Sequence, residues 1–184
     1  MNSYYKEWQD TLCKSLSRDP IFIDVLNNFK DKPINVLEIG CARSLSGRYG
    51  DGWSSLFWAD HILKNGGSLD VCDIDQNCID NAKILLENFD KEIKVNFITD
   101  DGINVLQDVD KYDIIYLDGS DDPNQMVDQL KLCNLDKNYV FCDDFHTKGS
   151  LASTIYPNHL LYKLSNGHEM ALFGKNIIAK IINL

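Results

Sequence analysis

Carboxylates close most of the apolar runs in the middle of this chain. Asp73 and Asp75 follow Val71-Cys72, Asp100 and Asp101 follow Phe97-Ile98-Thr99, Asp118, Asp121 and Asp122 follow Ile114-Ile115-Tyr116-Leu117, and Asp143 and Asp144 follow Val140-Phe141-Cys142. Glu38 stands inside Val36-Leu37-Glu38-Ile39, just ahead of Gly40. Acids gathered in this way accept the donors of a ligand, take protons as general bases, or hold a hard divalent cation. Asp122-Pro123 has a simpler use, as a helix N-cap followed by proline at the first helical position. His146, close to Asp143-Asp144, is a candidate base and reads equally as a surface loop residue, whereas His61, His159 and His168 have no partner in sequence.

The elements that must position these groups follow from the rest of the chain. Its 184 residues suit one domain with short appendages, large enough to fold without disulfides or metal. With 28 acidic and 18 basic residues the net charge is −10, and no dense basic run is present, which argues against nucleic acid or an anionic membrane surface as the main partner. Cys13, Cys41, Cys72, Cys78, Cys133 and Cys142 form no C-x-x-C pair and read as small buried hydrophobes in a reducing compartment. The first fourteen residues mix Lys6, Glu7, Asp10 and Lys14 among apolar positions and no apolar run approaches membrane length, so a cytoplasmic location is expected.

Hydrophobic periodicity divides the chain at Pro33. Before it, Tyr4, Trp8, Leu12 and Leu16 recur at helical spacing and a second amphipathic segment covers 21–29, giving an N-terminal helical appendage over 1–32. After it, strands are predicted over 35–39, 69–73, 94–98, 113–117 and 139–142, and helices over 53–64, 76–89, 103–107 and 123–133. Apolar strands alternating with helices imply a parallel sheet covered on both faces, with ligands beyond the carboxyl ends of the strands where strand order reverses. Two C-terminal segments, 169–173 and 176–182, flank Gly174-Lys175 and suggest an antiparallel hairpin, while 147–165 reads as part helix interrupted at Pro157. Trp58 fits a core position, and Tyr49, in the glycine-containing loop 43–51, fits a recognition element or lid.

Val36–Gly40, Asp73, Asp101, the Tyr112-Asp113-Ile114-Ile115-Tyr116-Leu117-Asp118-Gly119 run and Asp143-Asp144 resemble the ordered motifs of class I S-adenosylmethionine-dependent methyltransferases, and most of all the small O-methyltransferase-like branch. The resemblance covers Pro33 to the C-terminus. It implies a Rossmann-like α/β fold: a doubly wound, seven-stranded, mostly parallel sheet with an antiparallel C-terminal hairpin, preceded by the N-terminal helices. It implies S-adenosylmethionine binding by Glu38, Gly40, Ala42, Ser54, Asp73, Asp101 and Asp118, with Asp73 on the ribose hydroxyls, Asp101 on the adenine amino group and Asp118 near the transferred methyl. The chain departs from the family where Ala42 and Ser44 replace glycines, and where Asp121 stands in place of a His.

Methyl transfer to an oxygen of a small or sugar-like acceptor is the expected activity, with a homodimer as an expected assembly. Asp118, Asp143 and His146 are the candidate catalytic groups, and Asp118, Asp143 and Asp144 the candidate ligands of Mg²⁺ or another divalent cation. Two alternatives remain open on the sequence: a non-catalytic module that keeps the fold, and a nicotinamide-dependent oxidoreductase, which lacks its G-x-G-x-x-G here.

Overall fold

In a computed structural model, residues 19–46, 53–89, 91–164 and 167–174 are described. The chain opens with α1 (Asp19–Leu26) and a 3₁₀ turn (Asn27–Phe29), then alternates β1 (Ile34–Ile39), α2 (Ser54–Asn65), β2 (Gly67–Asp73), α3 (Gln76–Leu86), β3 (Lys94–Thr99), α4 (Gly102–Val105) and a 3₁₀ segment (Leu106–Lys111). It continues through β4 (Ile114–Leu117), α5 (Pro123–Leu132), β5 (Tyr139–Cys142), α6 (Phe145–Lys148), α7 (Ser150–Ile155), β6 (Leu160–Lys163) and β7 (Glu169–Phe173). The seven strands lie in the order β3-β2-β1-β4-β5-β7-β6, parallel except for β7, which runs antiparallel to both β5 and β6.

Each strand feeds both faces of the sheet. Val36, Val71, Ile114, Tyr116 and Phe141 join α1, α2 and α3 in one core layer, and Leu37, Ile39, Ile115, Leu117 and Val140 join α5, α6 and α7 in the other. Full burial of alternate side chains on opposite faces explains why these strands read as unbroken apolar runs. Trp58 is fully buried against Phe22, Tyr116 and Phe141, with ring centroids 4.6, 6.1 and 6.0 Å away. Ile21, Phe22, Val25 and Leu26 are buried in the same layer, so the described part of the N-terminal segment packs into the core.

An antiparallel C-terminal hairpin is present, with the expected strand 169–173 as β7. The strand that turns back onto β7 is β6, from the stretch read as part helix; the segment 176–182, and Tyr49 in the 43–51 loop, lie outside the described residues. Only four residues of β6 alternate between half-buried and exposed, too short a run for a period of two to stand out after Pro157. No helix among the described residues is long and apolar enough to cross a membrane.

Candidate functional site

Strand order reverses between β1 and β4, and the backbone closes tightly there. Gly40 has φ +86°, and a Cβ at that position would lie 2.5 Å from the carbonyl carbon of Asp118 and 2.6 Å from the Gly119 nitrogen. Only glycine takes this left-handed conformation and leaves that space. Beyond the last ladder pairs, Gly40 N–H donates to Cys72 O (2.9 Å), Asp118 N–H to Ile39 O (2.8 Å), Asp100 N–H to Asp73 O (3.1 Å) and Asp143 N–H to Leu117 O (3.1 Å). These bonds hold five strand ends, and the acids on them, along one edge.

Two cavities adjoin across Gly40, Asp73 and Gly119. The larger, about 560 Å³, is lined by Cys41, Arg43, Asp75, Asp118, Asp121 and Asp144 among others. The smaller, about 160 Å³, is lined by Ile74, Asp100, Asp101, Gly102, Gln125 and Gln129. Asp73 stands between them, each carboxylate oxygen accepting one backbone amide: Cys41 N–H at 3.1 Å and Asp75 N–H at 2.9 Å. Asp101 caps α4 by accepting from Ile103 N–H at 2.9 Å. Ile74, apolar yet 75% exposed, faces no protein partner large enough to cover it. Gln129 is buried, and its Nε2 has no hydrogen-bond partner among the described residues. A buried amide donor left unpaired costs about 1–3 kcal/mol, which a ligand acceptor would recover.

Glu38 lines neither cavity. It is fully buried and accepts hydrogen bonds from Ser54 Oγ and Ser55 Oγ at the start of α2, tying that helix to β1. Burial, aided by the nearby Asp118 and Asp73 charges, pushes its carboxyl up to about 8 despite the two serine hydroxyls. Ala42 is also buried; its carbonyl accepts from Asn81 Nδ2 at 3.2 Å, which fastens the loop after β1 to α3. Glu38, Ala42 and Ser54 thus stand outside the linings of the two cavities, while Gly40, Asp73, Asp101 and Asp118 line them.

The expected catalytic and metal sets are not assembled as the sequence suggested. Asp118 lines the larger cavity, but its Oδ1 lies 3.2 Å from the ammonium of Lys148, a lysine only 1% exposed. Asp143 is fully buried, and accepts from Tyr116 Oη at 2.6 Å and, through its other oxygen, from Asp144 N–H at 2.9 Å. His146 is exposed and lies outside the cavity lining. Lys148 stands beside Asp118 and Tyr116 beside Asp143, and among the described residues the group whose ligand atoms come together is Asp144, His146 and His168. Asp144 pairs with His168, at 2.7 Å.

Lys148, His168, Gln129 and Ile74 were missed as functional candidates. A lysine inside Thr147-Lys148-Gly149 gives no hint of burial, and His168 lies 24 residues from its partner. The described cysteines are free and buried, and burial pushes the thiols of Cys72 and Cys133 up to about 12 and that of Cys78 to about 11, so none is poised as a nucleophile.

Comparison with known proteins fits this geometry. A family model described as spermine/spermidine synthase domain matches residues 55–140. The O-methyltransferase from Bacillus cereus, solved with S-adenosylhomocysteine, is 16% identical with a TM-score of 0.54 over 95% of this chain and 92% of its own. A Clostridium thermocellum protein described as a candidate rRNA methylase is 12% identical with a TM-score of 0.57, over 83% of this chain and 92% of its own. MycE, a methyltransferase of the mycinamycin biosynthetic pathway solved with Mg, S-adenosylhomocysteine and mycinamycin VI, is 15% identical with a TM-score of 0.56, over 86% of this chain and 50% of its own. No curated protein matches the chain significantly in sequence. The chain has the fold of the S-adenosylmethionine-dependent methyltransferases. Within that fold, the Bacillus cereus O-methyltransferase matches it nearly from end to end.

Proposed function

We propose that this chain transfers the methyl group of S-adenosylmethionine to an oxygen of a small, sugar-like acceptor. The observation that carries the reading is the way polar groups are distributed over the two adjoining cavities. The smaller offers what an adenine needs: the exposed Ile74 for a ring face, the Asp101 carboxylate for the exocyclic amino group, and the unpaired Gln129 Nε2 for a ring nitrogen. Asp73 spends one lone pair of each oxygen on backbone amides and keeps others for the two ribose hydroxyls. The larger cavity leaves room for the methionine part and the acceptor. The residues present therefore fit the cofactor.

The cofactor supplies an activated, electrophilic methyl carbon. The chain's own residues have to orient the acceptor in line with that carbon and receive its proton. Gly40 lets the backbone approach the ligand closely. Asp118, with the buried Lys148 ammonium beside it, forms part of the cavity wall, and Asp144, oriented by His168, is the proton-accepting side. Asp143 is a positioning residue: it fixes the 143–144 turn through Tyr116 Oη and the Asp144 amide.

A second reading, an amine acceptor of the polyamine kind, draws support from the family model and from the five aspartates, Asp73, Asp75, Asp118, Asp121 and Asp144, that line the larger cavity. Calorimetric titration with S-adenosylmethionine, S-adenosylhomocysteine and NAD in parallel tests the common part. Binding of the first two and not of NAD is expected, and absence of both overturns it. A screen of hydroxylated metabolites and polyamines, read by mass spectrometry for the gain of one methyl group, separates the acceptors; binding without any turnover would leave a non-catalytic module.

A further inference from the structure

Four aspartates stand at helix N-caps on the site edge, and one behaves differently. Asp75, Asp101 and Asp122 each accept a backbone amide two residues on, from Asn77, Ile103 and Asn124, at 2.8, 2.9 and 2.9 Å. Asp144, at the N-cap of α6, makes no side-chain cap bond. Its backbone is left-handed, with φ 47° and ψ 38°, and its carboxylate is turned across to the hairpin, where it meets His168 Nδ1 at 2.7 Å. His146, two residues on, brings its ring to 4.7 Å from that of His168, centroid to centroid, and its Nδ1 takes only a long contact of 3.4 Å from the Glu169 amide. One ligand atom from each of Asp144, His146 and His168 falls within 4.8 Å of the other two. Of the three, Asp144 lines the larger cavity, so the cluster borders the space assigned to the acceptor through that residue, with His146 and His168 behind it.

We propose that Asp144, His146 and His168 form a divalent cation site with open positions toward the cavity. Two imidazoles and one carboxylate select a borderline first-row ion such as Zn²⁺, Co²⁺, Ni²⁺ or Fe²⁺, and disfavour Mg²⁺ and Ca²⁺, which take oxygen shells. Bonds of about 2.0–2.2 Å in a tetrahedral ion put ligand atoms about 3.4 Å apart, a separation that small rotations of two partly exposed rings achieve from the present spread. The ion takes the place of the proton shared between His168 and Asp144, and its open positions take oxygen donors of the acceptor. That last role rests on the methyl-transfer reading; the binding of the ion does not.

The test uses the full chain, stripped with EDTA and titrated with Co²⁺ followed by visible absorption, and with Zn²⁺ followed by calorimetry. One equivalent of each is expected to bind, with Mg²⁺ in large excess failing to compete. His146→Ala, His168→Ala and Asp144→Asn should each weaken Co²⁺ binding by more than about tenfold, while His61→Ala and His159→Ala leave it unchanged. Circular dichroism confirms that each variant is folded. Absence of stoichiometric binding, or binding that survives the His146→Ala/His168→Ala double variant, overturns the site. Calorimetry with S-adenosylhomocysteine on the same stripped protein is a separate arm, so loss of cofactor binding refutes the functional reading without touching the cation site.

Discussion

The two halves of the site edge, which meet at Gly40, hold their acids by different means. On the β1–β3 side the carboxylates are anchored by backbone amides, Asp73 by Cys41 of the loop after β1 and by Asp75, Asp75 by Asn77, Asp101 by Ile103. On the β4–β7 side three acids have a side-chain anchor, Asp118 in Lys148, Asp143 in Tyr116 and Asp144 in His168, while Asp122 keeps a backbone cap. A backbone anchor comes from the path of the chain and survives most side-chain changes. A side-chain anchor is a tertiary contact that one substitution removes. The first half is therefore suited to a constant ligand, and the second to one that varies.

The largest expected effect probes the buried acid behind the first half. Glu38 keeps its proton in the folded chain to about pH 8, against an ordinary value of 4.5. Between those limits the unfolded chain has lost a proton that the folded chain retains, so stability falls as pH rises from about 4.5 to about 8, by up to about 5 kcal/mol. Urea unfolding at the two ends of that window should show the fall in the parent and a much flatter profile in Glu38→Gln. A slope that persists in the variant would place the dependence on another group.

Next in size is the anchor of the second half. Lys148→Met removes the ammonium beside Asp118 and should cost about 2–4 kcal/mol in urea unfolding, discounted for the partial exposure of Asp118. Adding Asp118→Asn should recover 1 kcal/mol or more of that, as about 0.5–3 kcal/mol of coupling is usual for contacting residues. Additive losses would mean that the pair is not what anchors this side. For the first half, Asp73→Ala should weaken S-adenosylhomocysteine by about 1.5–3 kcal/mol while the domain remains folded, and an unchanged dissociation constant would move the ribose contact elsewhere. The smallest effect sharpens the comparison through its sign. Gln129→Leu removes an unpaired buried donor, so the melting temperature of the ligand-free protein should rise while S-adenosylhomocysteine affinity drops by about 1 kcal/mol. A fall in both would show that Gln129 is already satisfied without ligand.

The same division explains what the sequence revealed. Apolar strands, the Gly40 turn, and acids at or shortly after the ends of β2, β3, β4 and β5 are local patterns, so the sheet and its loaded edge were legible. Asp122-Pro123 was legible for the same reason, as Asp122 does cap α5. Lys148 with Asp118 spans 30 residues, His168 with Asp144 spans 24, and Asp143 with Tyr116 spans 27. No spacing rule links such pairs, and a buried lysine has the same one-letter context as an exposed one. Asp143 therefore read as a site acid although Tyr116 seals it, and His168 read as inert although it orients the acid on the cavity.

The sealed thiols lend the molecule a means of being watched. Cys41 follows β1, Cys72 lies on β2, Cys78 on α3, Cys133 just after α5 and Cys142 on β5, and all are buried and free. A thiol-specific dye reaches such groups only when the structure around them opens. With Cys13 replaced by serine, the labelling rate of each remaining cysteine becomes a clock for the breathing of its own part of the sheet. Cys41 and Cys78, beside the larger cavity, should slow when cofactor binds, while Cys133 on the far face should keep its pace.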